Sequence, residues 1–194
     1  VDMQTWETSS IYQYNFNYSP RPIFQSYQTY TPELDHLNEQ KYLSLSAPEI
    51  LITQFITIDE RNLLQEESYT KLSMMANYRV TDVSFPSPYA GGNNLVLEKS
   101  AEQLKYTLSK IKSQTIKIGE EYPLNFGNKL IFIKTNIKYS LPGHLKKLLL
   151  IPPPLKIEMT LANGQKRIHR SIVPLNNGGL IINKYLDTYA NSPE

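Results

Sequence analysis

The chain has 194 residues, of which 40% are hydrophobic and 20% charged, a composition typical of a folded globular protein and not of a disordered one. Its formal net charge of +2 supplies no strong field for nucleic acid, so no nucleic-acid partner is expected. The absence of cysteine excludes disulfides, cysteine-ligated metal sites and thiol catalysis.

The sequence also bears on membrane association. No run approaches the roughly 20 apolar residues that span a bilayer, and no basic amphipathic helix is apparent. We therefore expect no direct membrane insertion by this segment. Val1 is not an initiator methionine and no signal-peptide core follows it, which predicts an N-terminus processed or trimmed from a longer chain.

The first hundred residues mix helix and strand signals. Thr31-Pro32-Glu33 combines an N-cap residue, a first-turn proline and a first-turn acid, which predicts a short helix that ends near residues 42–46. The following run is rich in isoleucine and apolar on both faces, as expected of a central strand over residues 48–58.

A second helix is predicted over residues 63–78, with Tyr69, Leu72, Met75 and Ala76 on one stripe. Strands over residues 78–85 and 95–98 follow. This order predicts an α/β subdomain over residues 1–100.

The second half has a different pattern. Residues 101–113 fit a strand or irregular structure slightly better than a helix, and later residues repeat short alternating apolar runs between turn signals. Strands are predicted over residues 115–118, 129–139, 155–162, 165–173 and 180–185. The overall class is therefore α+β: a small α/β layer followed by a β-sandwich or jelly-roll-like subdomain over residues 101–194.

Asn163-Gly164 is a strong hairpin signal between two of these strands. A two-residue turn there would pair Met159 with Ile168 and Ile157 with Arg170. The sequence thus predicts that Arg170 lies among apolar neighbours.

Two groups of residues are candidates for a ligand site. Arg21 lies between two prolines, and with Phe24, Gln25, Tyr27 and Tyr30 it could stack on a sugar ring and hydrogen-bond its hydroxyls, or it could seal two layers together. Asp59, Glu60 and Arg61 directly follow the predicted central strand, where open α/β sheets often place ligands, although such clusters more often form structural ion pairs.

The sequence offers no catalytic motif and no metal or cofactor site. His36, His144 and His169 lack metal-ligand spacing, and phosphate loops, nucleophile elbows and zinc-protease motifs are missing. No cofactor and no metal are therefore expected.

Several strings in the chain stand out together: RPIFQSYQTYTPELDHLN from Arg21, APEILITQFITIDERN from Ala47, Pro152-Pro153-Pro154-Leu155, the Asn163-Gly164 turn, Arg170 and Gly178-Gly179-Leu180. In these strings the chain resembles the soluble portion of large uncharacterised bacterial multi-span membrane proteins. The resemblance covers most of the chain. It implies an extracytoplasmic C-terminal region, on the periplasmic face, whose partner is the remainder of a membrane-embedded chain that is glycosyltransferase-like in its helical part.

The resemblance also indicates which positions to examine: Arg21, Gln25, Tyr27, Tyr30, Asp59 and Arg61. Glu60 departs from the family pattern, which has glycine between the aspartate and the arginine.

Three functional readings follow. The first is a non-catalytic accessory domain that contacts a glycan or a partner protein. Its predicted ligand-binding residues are the six positions named above together with Arg170. The second is a glycan-processing enzyme portion in which Asp59 is the general acid or base and Arg21 or Arg61 holds an anionic substrate. The third is a purely structural packing module. We expect Arg21 and Asp59 to share one polar cluster.

Overall fold

The computed structural model describes residues 1–4, 8–54, 57, 59–86, 93–124, 127, 129–149 and 155–182. Its strands are β1 (Asp2–Gln4), β2 (Ile50–Gln54), β3 (Tyr78–Pro86), β4 (Asn93–Lys99), β5 (Phe132–Ile133), β6 (Leu155–Thr160), β7 (Lys166–Ser171) and β8 (Leu180–Ile181). Its helices are α1 (Ser9–Gln13), α2 (Pro32–Leu43), α3 (Ser68–Asn77), α4 (Leu141–Leu149) and α5 (Val173–Gly178), and a 3-10 turn covers Ser26–Gln28. The α+β class is confirmed.

A four-stranded sheet organises the first half. The strand order is β1-β2-β4-β3, with β1 parallel to β2 and the other neighbours antiparallel. The predicted central strand is confirmed as β2, which is buried on both faces because α2 and α3 cover one face while α1 packs near the other. The predicted residues 55, 56 and 58 of that strand lie outside the described residues.

The two sides of the sheet hold different core clusters. Leu51 of β2 packs with Tyr42, Met74, Tyr78 and Leu97 on the helical side. The next residue, Ile52, points to the opposite face, as the period of two in a strand requires, and packs with Met3 and Ile11. A third cluster joins Leu64, Tyr69 and Leu72 to Ile181, so residues from both sides of the predicted boundary at residue 100 share a core.

Helix α2 begins as predicted. Thr31 has an extended backbone, its hydroxyl accepts a hydrogen bond from the Leu34 amide at 3.4 Å, and Pro32 occupies the first turn. Helix α3 is shorter than predicted, and its buried methionine is Met74, whereas the predicted Met75 is exposed. The stripe is rotated because β2 and β4 lie against Met74 and leave Met75 toward solvent.

In the second half, the described residues form two separate two-stranded sheets, β5–β8 and β6–β7, and not the larger packed sheets of a sandwich. The predicted strand over residues 115–118 does not form, and that over 129–139 is reduced to β5. Alternating lysine and apolar residues suit a strand, but a strand also needs a partner edge. Within the described residues, β5 finds only the two residues of β8.

The β6–β7 hairpin forms, but its predicted register is wrong by one residue. Thr160 pairs with Lys166 and Lys156 with Arg170. The Gly164 amide donates to the Leu161 carbonyl at 2.9 Å, and Gly164 has a positive φ of 80°, which is the geometry of a three-residue loop with a bulge. The extra loop residue moves Arg170 to the exposed face, so the prediction of apolar neighbours for Arg170 is wrong.

Residues 141–149 form helix α4, although a Pro-Gly pair such as Pro142-Gly143 is typical of a turn. At about 100° per residue its four leucines fall within one arc of the helix and the exposed Lys146 lies outside that arc, so the expectation that the chain lacks a basic amphipathic helix is wrong. Among the described residues, no helix is both long and apolar enough to cross a bilayer.

Candidate functional site

The predicted site residues after β2 lie in a tight left-handed turn. Asp59 and Glu60 have positive φ values of 55° and 58°. Glycine adopts this conformation without steric cost, so the glutamate keeps the turn at the cost of local backbone strain. The turn is held from two sides: the Glu60 carbonyl accepts the Arg170 amide at 2.9 Å, and the Arg61 carbonyl accepts the Thr57 hydroxyl at 2.7 Å.

The turn brings Asp59 between two arginines. Its Oδ2 lies 3.5 Å from Arg61 Nη2 and 3.3 Å from Arg170 Nη1. The guanidinium of Arg61 is buried and fixed by Glu66 at 2.9 Å and by the Tyr27 carbonyl at 3.2 Å, whereas Asp59 and Arg170 are half-exposed. The ring of Tyr30, 46% exposed, lies 5.6 Å from the Arg61 guanidinium carbon.

We call this group, Tyr30, Asp59, Arg61, Glu66 and Arg170, the Asp59 cluster. It borders a shallow cleft that Gln65, Ser171, Ile172 and Leu175 help to line. The cleft has a volume of about 10 Å³, room for about one water molecule and far below the range of about 300–1,000 Å³ usual for small-molecule sites. The arrangement suits contact with the edge of a ligand that stays at the surface, and not an enclosed molecule.

Arg21 is placed elsewhere, in the core. Its Nη1 donates to Asp2 Oδ2 at 3.3 Å and to the Met3 carbonyl at 3.0 Å, while Nη2 donates to the Phe24 carbonyl at 2.7 Å and to Ser26 Oγ at 3.0 Å. Its Nε lies 3.8 Å from Glu67 Oε1, and the side chain is fully buried.

The expected sharing of one cluster by Arg21 and Asp59 is therefore not what the structure shows. Asp59 pairs with Arg61 and Arg170, and Arg21 pairs with Asp2 and Glu67. The two networks meet through consecutive residues, because Glu66 pairs with Arg61 and Glu67 with Arg21.

The remaining predicted site residues lie near the 3-10 turn. Gln25 precedes that turn and is half-buried, and its carbonyl accepts the Gln28 amide at 2.9 Å. Tyr27 is also half-buried and reaches the Asp59 cluster through its backbone carbonyl. The structure thus brings Tyr27, Tyr30, Asp59, Arg61 and Arg170 together, whereas Gln25 caps the 3-10 turn and Arg21 lies apart.

A buried charged layer behind the Asp59 cluster contains residues that the sequence reasoning missed. Burial acts to raise the pKa of Glu67, but Arg21 and Lys71 hold it below its ordinary value. Burial lowers the pKa of Lys71 to about 8, and the carboxylates of Glu67 and Glu66 offset this only in part. Burial and the neighbouring Glu67 raise the pKa of Glu66, against the attraction of Arg61.

Asp35 belongs to the same layer and caps a helix other than its own. Its carboxylate accepts the Tyr69 amide at 3.0 Å, the Thr70 amide at 2.9 Å and the Thr70 hydroxyl at 2.7 Å. The amides of Tyr69 and Thr70 belong to the first turn of α3, where N–H groups have no partner within the helix, and the N-cap residue, Glu67, makes no side-chain cap. Burial nevertheless raises the pKa of Asp35 to about 6, against the hydrogen bonds from Thr70 and Tyr69.

The only sequence signal for this layer was the Glu66-Glu67 pair. Two consecutive acids next to a predicted helix are ordinarily solvent-exposed, so the pair alone does not indicate a buried layer. Within the described residues, no group of three or more histidine, aspartate or glutamate side chains is arranged to hold a metal ion. His36 instead contacts Glu39, with Nδ1 2.6 Å from Oε2, and Glu39 also accepts the Tyr106 hydroxyl.

Comparisons of the chain with protein-family models, with curated proteins and with solved structures found no match.

Proposed function

We propose that this chain is a non-catalytic binding domain that contacts a polar ligand, a saccharide in the first instance, at the Asp59 cluster. One observation carries the proposal: a half-exposed tyrosine ring, a half-exposed carboxylate and a half-exposed guanidinium converge beside a shallow cleft. An aromatic face with nearby hydrogen-bonding groups suits a sugar, whose ring presents an apolar face and polar edges.

The rigidity of the cluster supports recognition. Arg61 cannot swing toward solvent without leaving Glu66 and the Tyr27 carbonyl. It therefore fixes both the Tyr30 ring and the Asp59 carboxylate, so little side-chain entropy is lost when a ligand binds.

The enzyme alternative receives less support from the geometry. A general acid or base must reach a substrate proton, but Asp59 Oδ2 already lies within contact distance of two guanidinium groups. Arg21, the proposed anion holder, is enclosed in the core and satisfies Asp2 and Glu67. A carboxylate paired in this way acts as a fixed acceptor.

The location belongs to the proposal as well. We place the domain on the periplasmic face, joined to the membrane-embedded remainder of a longer chain, on the strength of the family resemblance carried by residues 21–38 and 47–62. A neighbouring protein is the alternative ligand, since a protein surface can contact the exposed groups of the Asp59 cluster without entering the cleft.

A glycan-array screen followed by calorimetric titration tests the proposal. We expect the wild-type chain to bind at least one saccharide class, with Tyr30→Ala and Asp59→Asn each weakening binding about tenfold or more. Tyr14→Ala and Glu158→Gln are matched controls, since Tyr14 is an exposed tyrosine and Glu158 an exposed carboxylate paired with Lys166. They should bind normally.

Absence of saccharide binding, or equal loss in the control variants, would contradict the saccharide assignment. Turnover of a bound saccharide that disappears in Asp59→Asn would support the enzyme reading instead.

A further inference from the structure

Helix α4 presents its apolar face to solvent. Leu141, Leu145, Leu148 and Leu149 have exposed fractions from 58 to 87%. At about 100° per residue, these four positions fall within an arc of about 100°, which is a continuous stripe along the helix. Exposed apolar stripes of this kind mark interaction surfaces in soluble domains.

The rest of the helix and its flanks are basic. Lys146 and His144 are exposed and lie outside the leucine arc. The sequence from 122 to 157 contains six lysines and no acidic residue, although the whole chain carries only +2. A leucine stripe bordered by cations in an acid-free segment matches the chemistry of an anionic bilayer surface, where leucines enter the headgroup boundary and lysines contact phosphates.

We propose that α4 is a membrane-surface helix that lies flat on anionic phospholipid. Its nine residues extend about 13 Å, less than half of the hydrocarbon core, so it rests on the bilayer and does not cross it. A second copy of the chain is a poorer occupant, because a symmetric contact through α4 would bring two acid-free, lysine-rich segments together. The inference rests on α4 and its lysine-rich flanks and is independent of the ligand proposed for the Asp59 cluster.

The test is co-sedimentation of the full chain with lipid vesicles at about 0.1 M salt. We expect binding to vesicles that contain phosphatidylglycerol to exceed binding to pure phosphatidylcholine vesicles at least tenfold, and to fall as salt rises. The variant Leu145→Ser/Leu148→Ser should lose at least tenfold in binding. Lys138→Gln/Lys146→Gln should remove the preference for anionic lipid.

The matched control is Leu45→Ser/Ile118→Ser, which removes two fully or largely exposed apolar side chains outside α4 and should bind like the wild type. All three variants change exposed residues, so unchanged circular dichroism and melting temperature will show that they are folded. Failure of the wild type to bind anionic vesicles would overturn the proposal. Equal binding by the serine variant would also overturn it, as would a concentration-dependent dimer that the serine variant abolishes.

Discussion

Replacement of Arg21 by methionine should destabilise the protein strongly, because Arg21 is a core residue and not a ligand-binding one. The change removes donors to the Met3 and Phe24 carbonyls and to Ser26. It leaves the buried carboxylate of Asp2 without its ion-pair partner, and it leaves Glu67 with Lys71 as its remaining neighbouring cation. Removing one member of a buried ion pair typically costs about 3–5 kcal/mol.

The groups around Arg21 cannot compensate for its removal, so we expect a loss of unfolding free energy within this range. Asp2 retains the Tyr42 hydroxyl at 2.8 Å, but this neutral donor cannot replace a guanidinium. At about 2–4 °C per kcal/mol for a chain of this size, the melting temperature should fall by roughly 10 °C. The melting temperature of Arg21→Lys should fall between those of the wild type and Arg21→Met, since lysine keeps the positive charge but loses the paired N–H donors of the guanidinium.

Urea denaturation followed by circular dichroism measures the free energy of unfolding directly. Arg79→Met is the control, because Arg79 is an exposed arginine on β3, and it should change stability by about 0.5 kcal/mol or less. A loss below about 1 kcal/mol for Arg21→Met would refute the account of the buried network.

Three further outcomes are expected. Burial lowers the pKa of Lys71 to about 8, so the folded state loses this proton before the unfolded chain does, and the stability contribution of Lys71 should increase as pH rises from 8 toward its ordinary value of 10.5. The free energy of unfolding of the wild type relative to Lys71→Met should therefore grow by about 1.5 kcal/mol between pH 8 and 9.5, and a constant difference would count against the lowered pKa. Met74→Ala should cost about 2–5 kcal/mol in urea denaturation and Met75→Ala about 0.5 kcal/mol or less, and the reverse order would show that the α3 stripe is misassigned. Gly179→Ala should lower the melting temperature, because the new Cβ would lie 1.9 Å from Phe132 Cε1, whereas Gly119→Ala meets only positive-φ strain, and equal shifts for the two variants would disprove the clash.

Local signals predicted most of the first half correctly. The Thr31-Pro32 start of α2 needs only its own neighbours, and β2 is recognisable because an isoleucine-rich run leaves little choice of environment. Arg21 shows where such reasoning fails. Two flanking prolines predict an extended backbone, but its ion-pair partners, Asp2 and Glu67, are 19 residues before it and 46 after it in the sequence.

The structure of the second half depends on features that the periodicity of apolar residues does not encode. The hairpin register depended on whether the loop at Asn163-Gly164 has two or three residues. One additional loop residue placed Arg170 on the exposed face of the hairpin and not on the apolar one. Helix α4 was missed because Pro142 and Gly143 are turn residues when read alone, although proline is well tolerated in the first turn of a helix. In the Asp59 cluster, the strand end indicated Asp59 and Arg61 from the sequence, which the structure places in contact, while Glu66 joined them only through the fold.

The cap that Asp35 provides across two helices has a consequence for how the protein opens. Because an α2 side chain holds the Tyr69 and Thr70 amides, local unfolding of α2 would expose the first turn of α3 at the same moment. In native-state hydrogen exchange, the amides of these two helices should then share one opening free energy and behave as a single cooperative unit.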